Sequence, residues 1–252
     1  YQRDGSLSGL PTGLHDLDRL MGGLQASDLI ILAARPAMGK TSLATNVAFN
    51  LANAGTPVLF FSLEMSSEQL ATRILAEQSE ISSSDIRRGN IHESQFQHLA
   101  DAQKRLREIP LLIDEQGGQS IGQIFAKARR LKRTKNIGCI VVDYIQLLSG
   151  DGRHGGNKAN EIAEITTKLK VMAKELHVPV IALSQLSRNV ESRENKKPHL
   201  SDLRDGGSIE QDADVVLFPY RGRILFESQR AKGRFARAFS LARRHGKGSW
   251  PC

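Results

Sequence analysis

Gly39-Lys40-Thr41 sits where an unbroken apolar run meets an apolar-periodic segment, and that placement decides what the three residues can do. The string from Ile30 to Ser42 reads I-I-L-A-A-R-P-A-M-G-K-T-S. Leu29 to Ala33 predicts a buried strand and Leu43 to Leu51 predicts a helix, so the order is strand, tight loop, helix. A loop of Arg35, Pro36, Ala37, Met38 and Gly39 running into Lys40, Thr41 and Ser42 can cradle a polyphosphate with backbone N–H groups and the helix N-terminus. Lys40 can reach the β and γ phosphates, and the Thr41 hydroxyl can hold Mg²⁺. The pattern G-x-x-x-x-G-K-[ST] is met except at its first glycine, which is Ala34. The alternative is a chance Gly-Lys-Thr at a helix start; the strand, the spacing and the helix all argue against it.

Three other apolar strands end in polar residues suited to the same chemistry. F-F-S-L-E-M-S ends a strand near Glu64, where a carboxylate can polarise the water that attacks a γ-phosphate. A helix-entry acid that favours the dipole is the other reading of that residue. I-V-V-D-Y ends in Asp143, the Walker B pattern that holds Mg²⁺ directly or through water. V-I-A-L-S-Q ends in Gln185, whose amide can sense a γ-phosphate or can simply be a solvated strand end.

The elements that must position these residues alternate along the chain. Leu14, Leu17 and Leu20/Met21 mark a short helix ended by Gly22-Gly23. Pro57 to Leu63 predicts a strand, and Ser66 with Gln69 makes a capping box for a helix through Ala76. A polar helical region over 83–107 leads to a strand at Pro110 to Ile113. Ser120 with Gln123 caps a helix to Arg133, and Gly138 to Asp143 is the next strand. A helix over Asn160 to Leu176, a strand over Val178 to Ser184 and a shorter one over Asp214 to Phe218 follow. Repeated strand-helix-strand units with continuous apolar strands predict an α/β fold, a mostly parallel sheet covered on both faces. In such a sheet the chemistry gathers at the carboxyl ends of the strands.

The 252 residues can bury a full core. No apolar run reaches the length of a membrane span, so a soluble cytoplasmic protein is expected. The two cysteines, Cys139 and Cys252, suggest neither a disulfide framework nor a thiolate metal site. The net charge of +8 is misleading as a nucleic-acid signal. Nine of the 35 basic residues but one of the 27 acidic residues lie in 221–252, which leaves 26 of each sign in 1–220. The body is neutral, so any nucleic-acid contact must come from local loops. Two polar loops qualify: Ser149 to Lys158, glycine-rich and expected to be mobile, and Arg188 to Ser208. Neither carries stacking aromatics, so backbone tracking without sequence readout is the expected mode. Solvated linkers are the competing reading.

Six strings together resemble the C-terminal motor domain of the DnaB-type replicative DNA helicases, a RecA-like P-loop NTPase family. They are G-L-P-T-G-L-H-D-L-D-R-L-M-G-G-L, A-A-R-P-A-M-G-K-T-S, F-F-S-L-E-M-S, V-V-D-Y-I-Q-L-L-S-G, A-L-S-Q-L-S-R and D-L-R-D-G-G-S-I-E-Q-D-A-D-V-V. They cover about residues 9 to 220, and the family commonly has alanine where this chain has Ala34. The resemblance implies a homo-hexameric ring that hydrolyses ATP or another NTP with Mg²⁺ and translocates on single-stranded DNA, unwinding the duplex ahead. By position, Lys40 and Thr41 bind phosphate and Mg²⁺, Glu64 is the catalytic base, Asp143 the Walker B acid and Gln185 the coupling residue. Arg204, Asp205 and Gly207 fall where the family's loop meets the DNA backbone. Primase and a helicase loader are the implied partners. Residues 1–27 then read as a residual linker and entry segment before a core over 28–220, with the family's N-terminal domain expected to be missing.

After Tyr220 the sequence departs from the family, which continues E-E-Y-Y and later K-Q-R-x-G, the segment that donates an arginine finger to the neighbouring subunit. Codons permitted for residues 222–226, read one base later, can spell E-E-Y-Y-L. Those for 241–251 can spell W-Q-E-D-M-E-K-V-H-G-R. The expectation is a frameshifted, basic and poorly ordered tail over 221–252 that forms no native element. Two alternatives to a working motor stay open: an ATP-binding ring or interaction remnant with little hydrolysis, and a RecA-like recombination or regulatory ATPase.

Overall fold

Strands that are apolar at every position can be buried only if both faces of their sheet are covered, and this chain meets that condition. The computed structural model describes residues 7–152, 157–203, 207–220 and 238–243. The chain runs α1 (His15–Met21), β1 (Leu29–Ala34), α2 (Lys40–Asn53), β2 (Val58–Ser62), α3 (Ser67–Ser79), α4 (Ser83–Arg88), α5 (Glu93–Glu108) and β3 (Leu111–Asp114). It continues with α6 (Ile121–Lys135), β4 (Cys139–Asp143), α7 (Lys158–Leu176), β5 (Val180–Gln185), α8 (Asn189–Ser192), α9 (Gly207–Asp212), β6 (Val215–Tyr220) and β7 (Ala238–Arg243). The sheet order is β3-β2-β4-β5-β1-β6-β7. β1 to β6 are parallel, and β7 pairs antiparallel with β6. The mostly parallel α/β architecture expected from the sequence is the one observed.

Alternate residues of each strand feed two cores. Ile31, Ala33, Phe61 and Val142 face one cluster with Ile124 of α6 and Ile162, Ile165 and Leu169 of α7. Ile30, Leu32, Phe60 and Val141 face the other, with Leu17 of α1, Val47 and Leu51 of α2 and Leu70 of α3. Cys139 lies in this second layer and is fully buried, and desolvation pushes its thiol up to about 12. Thiolate is the reactive form. In a Cys252→Ser background, native protein at pH 8 should therefore resist a thiol-specific disulfide reagent, and Cys139 should label once denaturant unfolds the sheet. Rapid labelling without denaturant would contradict this packing.

The capping boxes at Ser66/Gln69 and Ser120/Gln123 are both formed. The polar helical region breaks in two at Gly89, whose φ of 69° suits a left-handed cap, and its N–H bonds to the last turn of α4. On α1, Leu17 and Met21 are buried but Leu20 is 54% exposed, so the inward stripe follows 14, 17 and 21.

The entry segment is fastened by one buried carboxylate. Asp18 accepts from the Thr12 N–H and hydroxyl, both at 2.8 Å, and from the Gly13 N–H at 3.2 Å. Asn50 of α2 donates to the Thr12 carbonyl at 3.0 Å, which ties this turn to the core. Asp18→Ala strands these donors, at a cost of about 3 kcal/mol. The expected fall in Tm is roughly 6 to 12 °C; an unchanged melting temperature would count against this fastening.

The tail differs in part from expectation. Residues 238–243 form β7 along the free edge of β6. An edge strand presents unpaired N–H and C=O groups that any extended segment can satisfy, so pairing does not require the family's own sequence. The rest of 221–252 lies outside the described residues.

Candidate nucleotide-binding site

Register brings the polar strand ends together. Ala34 pairs with Gln185 and Ser62 pairs with Asp143. The Leu63 N–H donates to the Asp143 carbonyl at 2.8 Å, extending that ladder one step toward Glu64. The result is a cleft of about 920 Å³ over the carboxyl ends of β1, β2 and β5. Arg35, Pro36, Ala37, Gly39, Lys40, Thr41 and Ser42 form its floor, Glu64 and Gln185 border it, and Arg73 of α3 and Arg87 of α4 stand on its outer wall. Met38 is not among the lining residues; its N–H closes the turn onto the Arg35 carbonyl at 3.3 Å.

The loop owes its shape to two left-handed residues, Ala37 at φ 63° and Gly39 at φ 84°. No atom stands within 4 Å of where a Cβ on Gly39 would lie, so the glycine answers to backbone conformation and the space before it is open. Gly39 caps α2 without any side-chain hydrogen bond, so the first N–H groups of that 14-residue helix have no side-chain cap.

Beneath the loop, the Thr41 hydroxyl donates to Asp143 Oδ2 at 2.8 Å. Lys40 Nζ stands 3.6 Å from Asp143 Oδ1 and 4.4 Å from the centroid of the Tyr144 ring. Asp143 is fully buried, yet its Oδ1 has no hydrogen-bond partner among the described residues. Burial pulls the Lys40 ammonium below the ordinary lysine value, and the nearby charges of Asp143 and Glu64 oppose that pull.

Sequence reading missed Gln146, which lies in a short 3₁₀ turn after β4. It donates to Ser184 Oγ at 2.9 Å and accepts from the Gln185 N–H at 3.3 Å, fixing the end of β5 against the end of β4. The available signal was a lone amide within an otherwise apolar I-Q-L-L run. Arg35 lines the cleft and also reaches past it. Its Nε donates to Glu191 Oε1 at 2.8 Å and one terminal nitrogen to the Leu186 carbonyl at 3.0 Å, so its guanidinium is engaged away from the loop.

The loop after β4 is less free than its glycines suggest. The N–H groups of Gly150, Asp151 and Gly152 donate to Glu161 and Glu164 of α7, and Asp151 accepts from Lys168 at 2.7 Å. Three backbone donors and an ion pair hold this stem, while 153–156 lie outside the described residues. Arg204 and Asp205 are also outside them, and Gly207 opens α9.

This chemistry fits a polyphosphate carrying a divalent cation. The cleft offers an ammonium, open helix-end N–H groups, and a hydroxyl and a carboxylate whose oxygens meet at hydrogen-bond distance. Asp143 Oδ1, which has the Lys40 ammonium 3.6 Å away but no hydrogen bond, is an acceptor that a hydrated cation would satisfy. Among the described residues no cluster of His, Cys, Asp and Glu could hold a metal without such a ligand.

The family model for the DnaB-like helicase C terminal domain matches residues 9–249. This chain belongs to that family. The replicative DNA helicase DnaC of Bacillus subtilis is 47% identical over 222 residues, 88% of this chain and 49% of its own length. The replicative DNA helicase DnaB of Rickettsia typhi is 50% identical over 224 residues, 84% of this chain and 45% of its own. The chain therefore spans about half the length of the curated DnaB-like relatives it matches. Among solved structures, one described as an ATPase domain superposes with a TM-score of 0.86 at 33% identity, covering 95% of this chain and 89% of that one. A DnaB-like replicative helicase, described with its interactions with primase, gives 0.87 at 34% identity, covering 98% of this chain and 59% of that one. Both neighbours share the RecA-like fold described above. Among the described residues no helix is long and apolar enough to cross a membrane.

Proposed function

We propose that this chain is the motor of a replicative DNA helicase, coupling ATP hydrolysis to translocation on single-stranded DNA. The observation that carries the reading is Lys40 and Thr41, which line the cleft, converging on Asp143 buried beneath it.

In this reading the α2 N-terminus and Lys40 bind the phosphates and stabilise charge that develops on the γ-phosphoryl group. Thr41 and Asp143 hold Mg²⁺, which when bound neutralises phosphate charge. Glu64, which lines the cleft, orients the attacking water as base. Gln185, at the end of β5 and braced through its backbone by Gln146, senses the γ-phosphate. Arg204, Asp205 and Gly207 contact the DNA backbone, with Gly207 carried at the start of α9. A homo-hexamer with primase and a helicase loader as partners completes this reading; one similar solved structure is described with its interactions with primase.

ATP hydrolysis measured with and without an unstructured single-stranded oligonucleotide tests this. Turnover stimulated by DNA is expected; ATP binding with negligible turnover would favour the remnant instead. One observation supports that second reading: 221–252 contains no K-Q-R-x-G string, and an arginine finger contributes on the order of 10³ to 10⁵ in rate.

A further inference from the structure

Arg35 lies within the phosphate loop and lines the cleft, yet its side chain is 12% exposed and its guanidinium is engaged by partners outside the loop. It grips two points of one strip: the carbonyl of Leu186, directly after Gln185, and the carboxylate of Glu191 on α8. Leu186 also donates its N–H to the Ala34 carbonyl at 3.2 Å, so the strip is tied to β1 by backbone as well.

The far end of the strip is equally well held. Leu186 forms an antiparallel bridge with Leu203, and the Ser187 N–H donates to the Asp202 carbonyl at 2.8 Å. The Asp202 carboxylate accepts from the His199 N–H at 2.7 Å and from Arg193. Leu186 is thereby tied to Leu203, the residue before Arg204. One cation thus spans the cleft floor and the strip from 186 to 203. A planar guanidinium meets a carbonyl and a carboxylate together through separate nitrogens, which the single nitrogen of lysine does less well.

We propose that Arg35 is a positioning residue: through Glu191 and Leu186 it couples the nucleotide loop to the 186–203 strip, and it is not a phosphate ligand. The coupling to DNA rests on the function proposed above. Glu191, 60% exposed and outside the cleft lining, is the safer test. In the full chain, Glu191→Ala should leave the KM for ATP and the DNA-free turnover within about two-fold. It should cut the stimulation by single-stranded oligonucleotide at least ten-fold. Arg35→Ala should show the same loss of stimulation, Arg35→Lys should not restore it, and the double substitution should be no worse than either single one. Intact stimulation in Glu191→Ala, or additive losses in the double variant, would overturn the coupling. A KM raised ten-fold in Arg35→Ala with stimulation intact would make Arg35 a nucleotide ligand. If the unaltered chain shows no stimulation at all, the functional reading fails by itself. The coupling is then read from hydrogen exchange: a non-hydrolysable ATP analogue with Mg²⁺ should slow the amides of 187–203 in the unaltered chain and not in Glu191→Ala. Equal protection in both would refute it.

Discussion

Lys40→Ala is expected to remove ATP-dependent stabilisation and to lower turnover by about 10²- to 10³-fold, the scale of losing one preorganised charge-stabilising donor. The fold itself should survive. Lys40 is a largely buried amine whose pKa burial lowers, so its charged form carries a cost to stability. That cost is present below its folded pKa and fades as the pH rises through that value. Removing the amine relieves that cost but leaves the buried Asp143 without its nearest cation, so the two effects oppose each other and the Tm of the ligand-free protein should shift by no more than a few degrees. With the unaltered chain, ATP at about 100 times its Kd adds roughly 2.7 kcal/mol, and at 2–4 °C per kcal/mol the midpoint rises by roughly 5 to 11 °C. The variant should show no such rise. A bound polyphosphate favours the protonated amine, so affinity in the unaltered chain is full below the ligand-free pKa and declines with alkaline pH above it. Thermal shift with and without ATP, repeated across pH, checks both statements. An undiminished ATP-induced rise in Lys40→Ala would contradict the assignment.

Glu64→Gln should separate binding from chemistry. The residue stands beyond the end of β2, set there by the Leu63 to Asp143 hydrogen bond and by the Ser62 hydroxyl donating to the Met65 carbonyl at 2.6 Å. The amide keeps the shape but cannot take a proton. Loss of a positioned general base lowers turnover about 10²- to 10⁴-fold. Removing the Glu64 charge takes away one of the two carboxylates that oppose the downward pull on Lys40, but it also lifts a negative charge that repels the phosphates, so nucleotide binding should stay within a few-fold. Steady-state hydrolysis alongside equilibrium binding of a fluorescent ATP analogue distinguishes these effects. Turnover within a few-fold of the unaltered chain would move the role of base to another residue.

What could be foreseen was local. Continuous apolar runs specified β1, β2, β4 and β5, and their polar terminal residues specified Glu64, Asp143 and Gln185, because a parallel sheet leaves little choice about where such ends gather. Ser66 and Ser120, each with a glutamine three residues on, announced the helices they cap. What stayed hidden depends on distant partners. The Arg35 side chain is directed by Glu191, 156 residues away, and nothing in R-P-A-M-G-K distinguishes a phosphate ligand from a brace. Gln146 matters because Ser184 and Gln185, 38 and 39 positions on, end the strand that its 3₁₀ turn packs beside. The stem at 150–152 seemed loose from its glycines, but its amides are satisfied by Glu161 and Glu164, whose role in a helix pattern is indistinguishable from a solvated face.

The central claim is that ATP and its cation occupy the loop of 35–42 against Asp143. Crystals grown with a non-hydrolysable ATP analogue and Mn²⁺ allow the ion to be located by its anomalous scattering. The account predicts one peak within ligand reach of Thr41 Oγ1 and on the Asp143 side of the cleft, with phosphates on the N–H groups at the start of α2. A nucleotide seated elsewhere, or a manganese peak remote from both oxygens, would contradict it.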